Sequence, residues 1–203
     1  MDIHPVLRLE ERLERARHFS AVHGSSEPYS LCQFLAHVTG LEEAAGKRVL
    51  EIGGTDRQNM AAYFLGMGAM YQCVRLEENP LGHPWVLPNR DFRDLPTTEP
   101  YDLVISCGVF EIAAINRSQD GNDFRSIYDS NERDLRKLFA LTKAGGFNII
   151  GTVSDPCMFS TVEMNAAGFA VCHRGSPFYS LLVPDGYMAI DESELVILQR
   201  HAP

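Results

Sequence analysis

Residues 49 to 57 read Val-Leu-Glu-Ile-Gly-Gly-Thr-Asp-Arg, a run that leads from an apolar strand into a glycine turn. The apolar residues predict a strand over 48–52 that ends at Gly53 and Gly54. Glycine lets the backbone approach a ligand closely, and the helix that follows presents free amide groups. This segment therefore predicts a strand-turn-helix unit that binds a nucleotide-type ligand. A dinucleotide is disfavoured, because a GxGxxG frame that starts at Gly53 meets Thr55 and Gln58 where glycines are needed.

Short apolar runs alternate with helical stretches along the rest of the chain, which is typical of βαβ units and a largely parallel sheet. The run from Tyr101 to Cys107 is continuously apolar after Asp102, as expected of a central strand covered on both faces. The turn at Pro184 predicts an antiparallel excursion before the last strand. Predicted strands span 48–52, 70–76, 85–87, 101–107, 147–153, 169–173 and 194–200, and predicted helices span 59–65 and 159–167.

A further helix is predicted after a long polar connection over 116–130. Its apolar stripe consists of Leu135, Leu138 and Phe139. Gly145 and Gly146 are expected to stop it.

The first 45 residues differ from the rest because they contain no convincing strand. Val6, Leu9 and Leu13 share one helical face over 5–18, and a second helical pattern covers 29–38. The chain is therefore divided into a helical N-terminal extension over 1–45, which is expected to cover substrate and cofactor, and an α/β domain over 46–203.

Composition limits the classes of function. The 203 residues allow one full-sized domain, and 45% hydrophobic with 22% charged residues is ordinary for a folded, water-soluble protein. A net charge of −9 with scattered positive charges argues against a nucleic-acid surface. No signal peptide or membrane span is visible, so the cytoplasm is expected. Five widely spaced cysteines without a CxxC pair indicate neither a disulfide framework nor a metal site.

Two later segments complete a recognisable order of motifs. Asp91-Phe92-Arg93-Asp94-Leu95-Pro96 precedes Tyr101-Asp102-Leu103-Val104-Ile105-Ser106, and Leu141-Thr142-Lys143-Ala144-Gly145-Gly146 leads into a strand. With the Glu51-x-Gly53 turn, this order resembles the class I S-adenosylmethionine-dependent methyltransferases over roughly residues 46 to 200. The resemblance implies an α/β fold with a mostly parallel, seven-stranded Rossmann-like sheet, helices on both faces and an antiparallel last strand.

The resemblance also implies S-adenosylmethionine as cofactor and a set of cofactor-binding residues. The carboxylate of Glu51 would face the methionine amino end, while Gly53 and Gly54 pass under the ligand. An acidic residue after the second strand would accept hydrogen bonds from the ribose hydroxyls, and we assign this role to Glu77. The remaining assignments are Asp91 to the adenine amino group, Phe92 to a backbone contact at the ring edge, and Cys107 to the carboxyl end of the fourth strand.

Three residues depart from the family pattern. Thr55 and Arg57 stand where the second and third glycines of the motif are expected, and Arg75 stands where the ribose-binding acid is expected. Same-side geometry along a strand recurs at every second residue, so Glu77 can face the same way as Arg75. These departures keep open a domain of this fold that binds or interacts without transferring methyl groups. They also keep open a nicotinamide-dependent enzyme in which Arg75 meets a 2′-phosphate.

The expected acceptor is a small molecule. Methyltransferases of this family that modify the amino groups of nucleic-acid bases carry an Asn/Asp-Pro-Pro-aromatic signature after the fourth strand, where this chain has Ser106-Cys107-Gly108-Val109. Methyl transfer needs mainly alignment and, for a hydroxyl or amine acceptor, removal of a proton. His23, Glu111 and Asp155 are the candidate bases, and no catalytic residue is assigned. A homo-oligomer is possible.

Overall fold

The structure, a computed structural model, describes residues 36, 39–41, 43–53, 59–107, 109, 124–151, 159–174, 181–182, 188–189 and 195–201. The predicted N-terminal extension lies almost entirely outside these residues. The described elements, in chain order, are β1 (Arg48–Ile52), α1 (Asn59–Gly66), β2 (Met70–Val74), β3 (Val86–Leu87), a 3-10 turn (Phe92–Asp94), β4 (Tyr101–Cys107), α2 (Phe124–Leu141), β5 (Thr142–Gly151), α3 (Thr161–Ala166), β6 (Phe169–Arg174), β7 (Leu181–Leu182), β8 (Met188–Ala189) and β9 (Leu195–Arg200).

Seven of the strands form one sheet in the order β3-β2-β1-β4-β5-β9-β6. The pairs from β3 to β5 are all parallel, and β9 pairs antiparallel with both β5 and β6. The predicted seven-stranded, mostly parallel sheet with an antiparallel last strand is therefore confirmed. The antiparallel excursion predicted before it is also present, as the β7-β8 hairpin.

Helices cover both faces of the sheet, because its central strands carry apolar side chains on both faces. On one face Ala61 and Phe64 of α1 pack against Val49 and Ile105. On the other face Leu135, Leu138 and Met164 of α2 and α3 pack against strand residues that include Leu50, Val104 and Ile150. The two layers leave the carboxyl ends of β1, β2 and β4 side by side.

Helix α2 differs from its prediction at both ends. It begins at Phe124, inside the segment predicted as a polar connection. Its inward face carries two buried polar residues, Asn131 and Asp134, which interrupt the apolar stripe and hide the helical period before Leu135. It ends at Leu141 rather than at the glycine pair, because Thr142 already belongs to β5. Gly145 and Gly146 instead lie within β5, where its pairing with β4 shifts register.

Helix α3 is as predicted in its core but begins later, at Thr161. Ser160 and Glu163 form a reciprocal capping box, which satisfies two backbone donors at the start of the helix. Gly168, which follows the helix, has a φ of 100° in the region that favours glycine. Within the described residues, no helix has the length and apolar character needed to cross a bilayer.

Candidate functional site

The carboxyl ends of β1 and β2 are joined directly. The backbone N–H of Gly53 donates to the carbonyl of Val74 at 2.8 Å, and Glu51 is in register with Cys73 on one side and Ile105 of β4 on the other. Residues in register on parallel strands point to the same face, so Glu51 and the residue two after Cys73, Arg75, share a face. The ligand-binding edge predicted from the sequence thus gathers side chains from several strands.

Glu51 is a largely buried carboxyl group at this edge. The Tyr71 hydroxyl donates a hydrogen bond to its Oε2 atom, from the neighbouring strand. Burial raises the pKa of Glu51, and the hydrogen bond from Tyr71 and the charge of Arg75 lower it without overcoming that effect. A carboxyl whose charge is disfavoured by its surroundings, at the mouth of a sheet, is a feature typical of functional sites.

Glu51→Gln is expected to stabilise the protein at alkaline pH. Because the pKa of Glu51 is raised on folding, the folded state binds the proton more tightly, and stability falls as pH rises above the ordinary value of 4.5. A glutamine side chain cannot ionise but can still accept the Tyr71 hydrogen bond. We expect the thermal midpoint of the variant to exceed that of wild type by a few degrees at pH 8 and to match it near pH 4.

Glu99→Gln is the matched control, since the Glu99 side chain is 77% exposed and pairs with Arg48. It should move the midpoint little at either pH. Equal midpoints for Glu51→Gln and wild type at pH 8 would show that the buried charge carries no cost.

The segment after β2 is held as an extension of the strand. The N–H of Arg75 donates to the carbonyl of Leu87, the N–H of Arg90 donates to the carbonyl of Arg75, and the N–H of Asn89 donates to the carbonyl of Glu77. Strand β2 itself ends at Val74, two residues before its predicted end. The chain nevertheless stays paired as far as Glu77, which is what a role for Glu77 at this edge requires.

Arg75 and Glu77 lie together, as the two-residue spacing predicts. The Nε atom of Arg75 is 3.4 Å from Oε2 of Glu77. The Arg75 side chain is only 11% exposed, whereas that of Glu77 is 68% exposed and open to a ligand. The assignment of Glu77 to the ribose stays a prediction.

Asp91 directly follows Arg90, so the pairing of residues 75–77 with 87–90 brings it to the same edge. Its Oδ1 atom accepts the N–H of Arg93 at 2.9 Å, which caps the 3-10 turn, and its Oδ2 atom accepts from the Arg93 guanidinium at 2.7 Å. A carboxylate has about four acceptor positions, so two remain. The adenine role of Asp91 stays a prediction beside this structural one.

Phe92 points its ring into the core and is 5% exposed. Its side chain is therefore committed to packing, and only its backbone is left for a ligand. The backbone contact of Phe92 with the edge of the adenine ring stays a prediction.

The 3-10 turn is tied to α2 by a bidentate ion pair that the sequence did not reveal. The guanidinium of Arg93 donates to both carboxylate oxygens of Asp134 at 2.6 Å, and Asp134 is fully buried. The hydrogen bonds to Asp134 raise the pKa of Arg93 beyond its already high value, against the effect of burial. Lys137 adds a hydrogen bond to the carbonyl of Leu95. The predicted adenine segment is thus rigidly mounted.

Gly53 marks the point of closest approach at this edge. Its φ of 75° lies in the region that favours glycine, and a Cβ atom there would clash with Cγ2 of Val109. Val109, two residues beyond the end of β4, therefore borders the turn, a position that strand spacing alone does not indicate.

Several predicted site residues are not described by the structure. Cys107 lies at the carboxyl end of β4, as predicted, and pairs with Gly151 of β5. The Cys107 side chain is not among the described ones. Gly54, Thr55, Arg57 and the candidate bases His23, Glu111 and Asp155 lie outside the described residues. Across the ranges that the structure describes, no three histidine, cysteine, aspartate or glutamate side chains are grouped as a metal would need.

Sequence comparison finds no relative: no protein-family model and no curated protein matches the chain. Solved structures do match its fold. A Burkholderia thailandensis 1,6-didemethyltoxoflavin-N1-methyltransferase, with bound 1,6-didemethyltoxoflavin and S-adenosylhomocysteine, matches 98% of this chain and 88% of its own at 18% identity and a TM-score of 0.56.

Two further structures agree. The N-methyltransferase NodS from Bradyrhizobium japonicum matches 88% of this chain and 99% of its own, at 11% identity and a TM-score of 0.53. A Haloferax volcanii structure of the Trm112 methyltransferase activator in complex with a methyltransferase matches 100% of this chain and 99% of its own, at 15% identity and a TM-score of 0.50. With the sheet order above, these likenesses show that the chain has the class I S-adenosylmethionine-dependent methyltransferase fold.

Proposed function

We propose that the chain binds S-adenosylmethionine at the carboxyl edge of β1, β2 and β4 and transfers its methyl group to a small-molecule acceptor. The observation that carries the proposal is the largely buried carboxyl of Glu51, which accepts a hydrogen bond from Tyr71 and whose ionised form is disfavoured by burial. Withdrawing a carboxyl group from water costs free energy, so an acid kept at this largely buried position has a task other than packing.

The donor set fits the cofactor. Carboxylates suit an ammonium group and paired ribose hydroxyls, and Glu51 and Glu77 offer them on adjoining strand ends. Asp91 supplies a third carboxylate beside the same backbone segment. The bound cofactor would supply an electrophilic methyl group. The protein's own contribution would be alignment of the acceptor and, for a hydroxyl or amine, removal of a proton by a base such as His23, Glu111 or Asp155.

The other features of the chain favour a small acceptor. The net charge of −9 disfavours a polyanionic one. The Burkholderia thailandensis structure, which contains 1,6-didemethyltoxoflavin, supports the same class of acceptor. Residues 1–45 are proposed to cover the acceptor as a separate helical extension. A cytoplasmic location and a possible homo-oligomer complete the proposal.

The nicotinamide alternative is weakened by the surroundings of Arg75. A 2′-phosphate would need the charge of this guanidinium. Arg75 already faces the carboxylates of Glu77 and Glu51, which compete with any phosphate. A module of this fold that does not bind the cofactor is separated from the enzyme by the binding experiment that follows.

Calorimetry with S-adenosylhomocysteine tests the proposal. Wild type is expected to bind saturably, and at about 100 times the dissociation constant the ligand should add about 2.7 kcal/mol of stability. Glu77→Gln should weaken binding about 10-fold or more, since a hydrogen bond to a charged group contributes about 1.5–3 kcal/mol.

Glu99→Gln, remote from this edge, should bind as wild type does. Absence of heat and of a thermal shift at millimolar ligand would reject the cofactor and the reaction together. Tighter binding of NADP than of S-adenosylhomocysteine would favour the nicotinamide alternative.

A further inference from the structure

We propose that Arg75 is a positioning residue, which holds the carboxylate of Glu77 in place for the cofactor ribose. The inference rests on the proposed function, because it assigns Arg75 a part in the same site. It gives a purpose to the residue that departs most from the family pattern, where a cation stands in place of an acid.

The burial of Arg75 is the first step of the argument. Its side chain is 11% exposed, and a guanidinium removed from water to that degree needs carboxylates or other acceptors around it. Glu77 lies at ion-pair distance, and Glu51 interacts with the same charge from the neighbouring strand. Burial and the nearby charge of Glu77 therefore limit the positions that the guanidinium can take, which makes it an anchor for Glu77.

The freedom of Glu77 is the second step. Its backbone carbonyl is held by Asn89, and Arg75 is held through both its N–H and its carbonyl. The Glu77 side chain, in contrast, is 68% exposed. An exposed glutamate loses rotamer entropy when a ligand immobilises it. Contact with a fixed guanidinium removes part of that loss before the ligand arrives, which is preorganisation.

The test uses 5′-methylthioadenosine, which carries the adenosine but lacks the amino acid end expected to face Glu51. Calorimetry is performed on wild type, Arg75→Gln, Glu77→Gln and the double variant. We expect Arg75→Gln to weaken binding about 5- to 10-fold. In the Glu77→Gln background the same change should cost little more, because a residue that acts through Glu77 has no effect once Glu77 is gone.

Arg75→Lys provides a second line of evidence and replaces Arg75→Gln if that variant does not fold. Lysine keeps the charge but lacks the planar guanidinium whose Nε lies 3.4 Å from Glu77, so we expect a loss between those of wild type and Arg75→Gln. Unchanged thermal midpoints with weakened binding would separate positioning from a purely structural role.

Other results overturn the inference. Fully additive losses in the double variant would mean that Arg75 contacts the ligand itself. Unchanged affinity in Arg75→Gln would mean that Glu77 needs no support. If wild type binds neither this ligand nor S-adenosylhomocysteine, the proposed function fails and this inference fails with it, whereas wild-type binding with an indifferent Arg75 refutes the inference alone.

Discussion

Replacing Arg93 with methionine is expected to lower the free energy of unfolding by about 3–5 kcal/mol. The reason is the carboxylate left behind, because Asp134 is fully buried and Arg93 supplies two of its hydrogen bonds at 2.6 Å. Methionine keeps much of the arginine's length but cannot balance the charge. Urea unfolding followed by circular dichroism measures the loss.

Arg136→Met is the control for this variant. Arg136 lies close to Asp134 on α2 and pairs with Glu132, but the side chains of Arg136 and Glu132 are 73% and 51% exposed. Exposed pairs of this kind contribute about 0.3–0.5 kcal/mol. Similar losses in the two variants would mean that burial of Asp134 does not govern the stability of the turn at residues 92–94.

Gly146→Ala is expected to cost about 3 kcal/mol, the second large effect. A Cβ atom there would stand 2.8 Å from the carbonyl oxygen of Asp102 and 2.9 Å from that of Lys143. Both neighbours are backbone atoms, so relief requires β5 to move away from β4 at Asp102 and to change its own backbone path at Lys143. Thermal unfolding should show the effect as a lower midpoint.

Gly145→Ala is the neighbouring comparison. A Cβ atom at Gly145 would meet nothing within 4 Å, but the φ of 77° is unfavourable for alanine. The strain alone costs about 1–2 kcal/mol. If Gly145→Ala proves the more damaging of the two, backbone conformation rather than lack of space explains the glycine pair.

Most of the sheet could be predicted because its signals are local. Continuous apolar runs identify buried strands without any knowledge of their partners, and β4 has the bounds that its sequence predicts. Helix α2 was harder, since buried polar residues on its inner face replaced the apolar period. The buried Asp134 pairs with Arg93, which lies 41 residues earlier in the chain. A pair so distant in the chain leaves no trace in local spacing.

The same distinction applies to the candidate site, where local spacing predicts some contacts but not those that depend on strand register. The spacing of Arg75 and Glu77 along the chain predicts that the two side chains face the same way, and the structure places them together. The contact of Tyr71 with Glu51 depends on the register of β2 against β1, which strand-by-strand analysis does not provide. Val109 beside Gly53 is a further case, since its position follows from how the chain leaves β4.

The placement of β9 between β5 and β6 has a consequence for biosynthesis. Within the described part of the chain, β6 joins the large sheet through β9 alone, and Ile197 and Leu198 of β9 are fully buried on opposite faces. As the nascent protein leaves the ribosome, the edge of β5 that later pairs with β9 therefore stays unpaired until residues 195–200 emerge. An open strand flank invites pairing with other chains. The interval before β9 inserts is thus the period when this protein is most exposed to aggregation.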